Sequence, residues 1–187
     1  MEHFYENIEG WFSYDYIYKH VVETASDGEL FVEVGSFKGK SSSFLAVEIA
    51  NSGKKIRLDC VDTWAASIEH QQGAECEVKE VVEGTLYETF LKNIEPVKHI
   101  INPIRMTSLE AAKLYEDNSV DFIMIDGEHT YEAVKADIQA WLPKIKNGGV
   151  MTGDDAFSEL VVRAATEELG KYGVQFPGVH FYAVINK

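Results

Sequence analysis

The chain has 187 residues, 45% hydrophobic and 26% charged, long and apolar enough for one compact domain with a sizeable core. Its formal charge of −14, from 17 basic and 31 acidic residues, argues against a nucleic-acid partner, because a duplex-binding face needs clustered Lys and Arg to displace counterions from phosphates. There is neither a basic leader followed by an apolar run nor an apolar stretch of roughly 18 residues, so the expectation is a cytoplasmic chain with no membrane partner.

Residues 1–28 come first and are dense in aromatics, with Phe4, Tyr5, Trp11, Phe12, Tyr14, Tyr16 and Tyr18. They read as a helical, aromatic-rich lid on a single 187-residue domain, or equally as the interface of a homo-oligomer, and the long polar loop "AASIEHQQGAECE" after Trp64 is the other candidate lid. Short apolar runs follow at Leu30 to Gly35, Ile56 to Asp62, Ile100 to Met106, Val120 to Asp126 and Gly149 to Gly153, each the signature of a strand covered on both faces. Helical patterns lie between them. The clearest runs from Tyr131 to Ile145, where Val134, Ile138, Trp141, Leu142 and Ile145 form one apolar stripe. Ser158 to Leu169 reads as a further helix, and "VQFPG" and "HFYAVINK" as two strands of an antiparallel hairpin turning at Pro177 and Gly178. The predicted fold is α/β and Rossmann-like: a mostly parallel sheet, helices on both faces, and an antiparallel C-terminal hairpin. Cys60 sits in an apolar run and is expected to be a buried thiol; with Cys76 it is too little for a metal site, and a disulfide is not expected.

Ligands of open α/β sheets bind where strands end, and there the sequence is acidic. The first strand runs through Glu33 to Gly35, the second stops at Asp62, the fourth at Asp126, and the fifth at Asp154 and Asp155. Such carboxylates repel one another unless a cation or hydrogen-bond donors neutralise them. The loop "GSFKGKS" after the first strand resembles a P-loop, but it has three residues between its glycines where a phosphate clamp needs four, and Glu33 would oppose a polyphosphate. A dinucleotide fingerprint is missing too, although Asp62 stands where a ribose-binding acid belongs. This loop suits a ligand with ribose hydroxyls and little phosphate.

"EGWF" at Trp11, "EVGSFKGKS", "DTW" at Asp62 to Trp64, "FLKN" at Phe90 to Asn93 and "DGEHTYEAVKAD" together resemble the class I S-adenosylmethionine-dependent methyltransferases. The similarity is to the metal-dependent O-methyltransferases of the catechol type, and more closely to the group containing macrocin O-methyltransferases and cephalosporin-hydroxylase-like proteins. The resemblance implies that Glu33, Gly35 and Ser36 form the cofactor loop, that Ser41 binds the methionine carboxylate, and that Asp62 takes the ribose hydroxyls. It further implies that Trp64 walls the cofactor, that Ser108 contacts adenine, and that Asp126 serves both the cofactor side and the metal. Ser108 is also a natural N-cap for the helix that follows, and Trp64 an ordinary packing residue. Asp126, Asp154 and Asp155 would hold Mg²⁺, with Mn²⁺ or Ca²⁺ fitting the same oxygens. His129 is the implied base for the hydroxyl of a small-molecule substrate. The other histidines, His180 among them, have no such context. A hydroxylase-like or non-methylating relative on the same fold is the alternative, with a P-loop NTPase more distant.

Overall fold

The computed structural model describes residues 1–65 and 78–187; the polar loop and possible lid that the sequence places at residues 65–77 therefore lie, but for Ala65, outside the described residues. Six strands form one sheet: β1 (Leu30–Val34), β2 (Arg57–Asp62), β3 (Ile101–Arg105), β4 (Val120–Ile125), β5 (Ile145–Gly153) and β6 (Phe181–Ile185). Their spatial order is β3-β2-β1-β4-β5-β6, with β1 to β5 parallel and β6 antiparallel to β5. The order reverses between β1 and β4, and open α/β sheets bind their ligands beyond the carboxyl ends of the strands at such a switch point.

Alternation along each strand feeds two cores. Phe31, Leu58, Phe122 and Met124 face one layer, where α1 (Asp15–Thr24), α2 (Lys40–Ser52) and α4 (Leu86–Asn93) pack. Val32, Val34, Ile123 and Ile125 face the other, covered by α5 (Ser108–Ala112), α6 (Tyr131–Trp141) and α7 (Glu159–Leu169). A four-residue turn of helix, α3 (Lys79–Val82), precedes α4. The α/β class with a mixed sheet is as expected, and Cys60 is a buried thiol.

Two boundaries differ from the sequence reading. The helix expected over Tyr131 to Ile145 stops at Trp141, because Pro143 supplies no backbone N–H to continue it; Ile145 instead opens β5 and pairs with Val120. The expected C-terminal hairpin is reduced to one arm. "VQFPG" contributes a single bridge, Gln175 to Tyr182, while β6 finds its partner in β5.

The N-terminal segment lies across this framework. Tyr14 and Tyr18 are fully buried, Phe12 packs edge-on to Tyr14, and His3 stacks on Phe44 of α2. Trp11 and Tyr16 are the aromatics of this segment left largely exposed.

Candidate active site

Glu33 leaves β1 on the α1/α2 face, so its carboxylate points into the protein. Tyr18 Oη donates to Oε1 at 2.7 Å, Ser36 Oγ donates to Oε2 at 2.8 Å, and Ser42 adds a very short contact. Burial pushes the Glu33 carboxyl above its ordinary value, and the three hydroxyls act against that. Glu33 and Ser36 thus brace the loop from beneath. Gly35 has φ +91°, and a Cβ there would stand 1.8 Å from the carbonyl oxygen of Asp126. Glycine is required where the chain leaving β1 crosses the end of β4.

Asp62 closes β2. Its Oδ2 accepts the Phe37 N–H and its Oδ1 the Trp64 N–H, both at 2.8 Å. Phe37 and Trp64 are non-glycine residues with left-handed backbone, at φ 46° and 48°. Such strain persists only where surrounding contacts over-determine it, and it gathers at functional sites. Trp64 Nε1 donates to the Phe37 carbonyl, and its ring packs on Tyr87 and Phe90 in the core, so its packing role is visible directly. Burial raises the Asp62 carboxyl, and the backbone donors lower it. Ser41 lies in the first turn of α2, buried beside Tyr14 and Glu33.

Ser108 is not the N-cap of α5. Thr107 holds that position, in a capping box with Glu110. Ser108 Oγ instead accepts Trp141 Nε1 at 2.9 Å and bonds to Asp137, a buried acid of α6 whose carboxyl burial pushes up to about 6.

The acids at the ends of β4 and β5 divide into two groups. His129 stands between Asp126 and Asp155, with Nε2 3.3 Å from Asp126 Oδ1 and Nδ1 2.8 Å from Asp155 Oδ2. Atoms of these three side chains all lie within 4.8 Å of one another. Burial alone would favour a neutral imidazole, but the two carboxylates more than offset it, and the His129 pKa is pushed up to about 10. This is well above the ordinary imidazole value near 6.5, in the direction that neighbouring carboxylates push it. His129 is here an imidazolium that neutralises both acids. Asp126 is raised chiefly by burial, with the charge of Asp154 adding to this; His129 and Tyr14 act the other way.

Asp154 turns aside. Its Oδ1 lies 3.1 Å from His180 Nε2, an ion-pair distance without hydrogen-bond alignment, so it remains a buried oxygen with no aligned donor among the described residues. Sequence reasoning missed His180 and Tyr14, whose Oη donates to Asp126 Oδ2 at 2.8 Å. Tyr14 carries no local signal. His180 does, because a last strand antiparallel to β5 starts where β5 ends, and Gly153 pairs with Phe181, which sets residues 154 and 180 side by side.

A doubly wound sheet with acids ringing its β1/β4 switch point defines a class I, Rossmann-like methyltransferase fold. Residues 32–156 match a methyltransferase-domain family, which is two thirds of the chain; the chain belongs to that family. A Sinorhizobium fredii protein, y4gI, is 29% identical over 126 residues; the match covers 66% of this chain and 13% of that much longer relative. Solved structures of similar fold include the O-methyltransferase NovP, at TM-score 0.68 and 12% identity, covering 92% of this chain and 79% of that one. An S-adenosylmethionine-dependent O-methyltransferase of Thermotoga maritima matches at TM-score 0.65 and 9% identity, over 96% and 68% of the two chains. Fibrillarin of Aeropyrum pernix, with natively bound S-adenosylmethionine, matches at 0.57 and 16%, over 85% and 67%.

Proposed function

We propose that the chain methylates a hydroxyl of a small molecule, taking the methyl group from S-adenosylmethionine with a divalent cation at the acceptor. The observation that carries this reading is the placement of Asp62 on one side of the switch point and the Asp126, His129 and Asp155 cluster on the other. Each Asp62 oxygen accepts one backbone N–H and keeps a lone pair, which fits a pair of ribose hydroxyls. Ser41, in the first turn of the 13-residue helix α2, fits a carboxylate. Ser108 would meet adenine only by sharing a hydroxyl already engaged by Trp141 and Asp137.

Two carboxylates and an imidazole within chelating distance, beside an orphaned buried oxygen of Asp154, fit a divalent ion. When bound, such an ion supplies a Lewis acid that lowers the pKa of a hydroxyl. Asp126, Asp155 and Asp154 would hold it. His129 faces the same space and is the one imidazole placed there among the described residues; once its acids are otherwise neutralised, it can take the hydroxyl proton. A sulfonium methyl then needs only an in-line oxygen, so positioning supplies most of the remaining acceleration.

One observation favours a second reading. His129 already neutralises Asp126 and Asp155, so the imidazolium itself could orient the substrate oxygen with no metal. The deciding experiment is calorimetric titration of S-adenosylhomocysteine with and without Mg²⁺ or Mn²⁺, followed by product analysis over a panel of hydroxyl compounds with metal-free protein. The metal reading expects S-adenosylhomocysteine to bind either way and methylation to require the ion. Full methylation after EDTA treatment favours the second reading. Absence of S-adenosylhomocysteine binding, or oxygenated products, would sink both.

A further inference from the structure

His180 is 2% exposed and lies between the N-terminal segment and the end of β5. On one side Nδ1 meets Tyr16 Oη at 2.9 Å and the Pro177 carbonyl at 3.3 Å; on the other Nε2 meets Ser13 Oγ at 3.2 Å and Asp154 Oδ1 at 3.1 Å. A carboxylate accepts only, so a ring this close to Asp154 is favourable only in a form that carries hydrogen on Nε2. The Tyr16 hydroxyl decides this for a neutral ring. If it donates to Nδ1, a neutral ring carries its hydrogen on Nε2, aligned on Ser13 Oγ and close to Asp154 without being aimed at its oxygen; if it donates to the Pro177 carbonyl, 3.0 Å away, it leaves the lone pair of Nε2 beside a carboxylate. Beside this ring, at a centroid distance of 5.6 Å, stands Tyr14, which donates to Asp126. The segment from Ser13 to Tyr16 therefore reaches two of the three acids, one directly and one through His180.

We propose that His180 is a positioning residue that fixes Asp154 for a divalent ion and is itself oriented by Tyr16. It stands behind Asp154 as the outer partner that sets the direction of a ligating group, a role whose loss commonly weakens metal binding by about 10- to 100-fold. The proposal rests on the metal reading above.

The test uses the full chain and Mn²⁺ alone, with the free ion counted by its paramagnetic resonance, alongside S-adenosylhomocysteine calorimetry and thermal melting. His180→Phe keeps the ring volume and loses both nitrogens; His180→Gln restores a distal donor; Tyr16→Phe removes only the hydroxyl, at a residue 45% exposed where folding is not at stake. His180→Phe should weaken Mn²⁺ binding by about 10- to 100-fold while S-adenosylhomocysteine affinity stays within about 2-fold. His180→Gln should recover most of that loss, and Tyr16→Phe should show a smaller loss of the same kind. Wild-type Mn²⁺ affinity in His180→Phe overturns the proposal, as does a joint fall in both affinities and in Tm that Gln does not rescue. Should His180→Phe not fold, unchanged Mn²⁺ affinity in Tyr16→Phe overturns it. Wild-type protein that takes up no Mn²⁺ sinks the metal reading and this proposal with it, whereas Mn²⁺ bound equally by wild type and His180→Phe sinks this proposal alone.

Discussion

Gly35 and His129 show two ways in which a single residue holds the site. At Gly35 the constraint is steric: with φ +91° and the Asp126 carbonyl 1.8 Å from an added Cβ, alanine must displace the backbone at the end of β4. Gly35→Ala should cost about 3 kcal/mol or more, read as a lower midpoint in urea denaturation. At His129 the constraint is electrostatic. Its folded pKa of about 10 lies above the unfolded value near 6.5, so the folded state binds the proton more tightly, and the resulting stability is complete below about pH 6.5. That stability is lost as pH rises through about 10. With the side chain 32% exposed, solvent screening reduces the contribution to about 1–2 kcal/mol. Metal-free protein should lose this much between those limits, and His129→Gln should flatten the loss; a wild-type profile in the variant would show that the carboxylates do not hold the proton. The sequence showed Asp62 and Asp126 as candidates because strand ends carry chemistry, and His129 through the resemblance to metal-dependent O-methyltransferases. It hid the inward turn of Glu33, since which face a strand residue takes depends on what packs there.

At the scale of elements, the contact between α5 and α6 contains the clearest local conflict. Asp137 is buried on α6 and its carboxyl is raised to about 6 by desolvation, with the Ser108 hydroxyl as partial compensation. A folded pKa above the unfolded 3.9 means that Asp137 favours folding most below about pH 4, and that its contribution falls as pH rises through about 6. Asp137→Asn should therefore raise stability at pH 7 to 8 by about 1–3 kcal/mol and remove that slope, checked by chemical denaturation across pH. A variant no more stable than wild type at pH 8 would mean that the bond from Ser108 offsets the burial of the acid. Element types were largely legible because strands covered on both faces read as continuous apolar runs. Their ends were less so. Ile145 fits a helical stripe by spacing, yet Pro143 interrupts it, and "VQFPG" has the composition of a strand but meets the outer edge of β6 through one bridge, with Pro177 unable to donate to a longer ladder.

For the whole molecule, the charge of −14 and the acids at the strand ends point the same way: phosphate-rich ligands should be repelled. Fluorescent duplex DNA should show no polarisation change at low salt, and ATP should not compete with S-adenosylhomocysteine; competition that depended on Lys40 would revive a phosphate-binding loop. Among the described residues no helix is long and apolar enough to cross a membrane. The general location of the candidate site was legible in the sequence, since acids that end parallel strands are carried to the same end of the sheet. The contribution of the N-terminal segment was not, because aromatic composition does not say whether a segment packs, covers or pairs.

That contribution has a consequence for how the molecule comes into being. Ser13 and His180 are 167 residues apart in the chain, and Tyr14 and Asp126 are 112 apart, yet both contacts converge on the acids of the site. Contacts of such separation form only after the intervening chain has been ordered, and they slow folding accordingly. During synthesis, the segment that emerges first must wait for β6 before its contact with His180 can close. A nascent chain stalled before residue 180 would therefore hold a nearly complete sheet with Asp154 lacking its His180 neighbour, and the arrangement around that acid should be among the last to form.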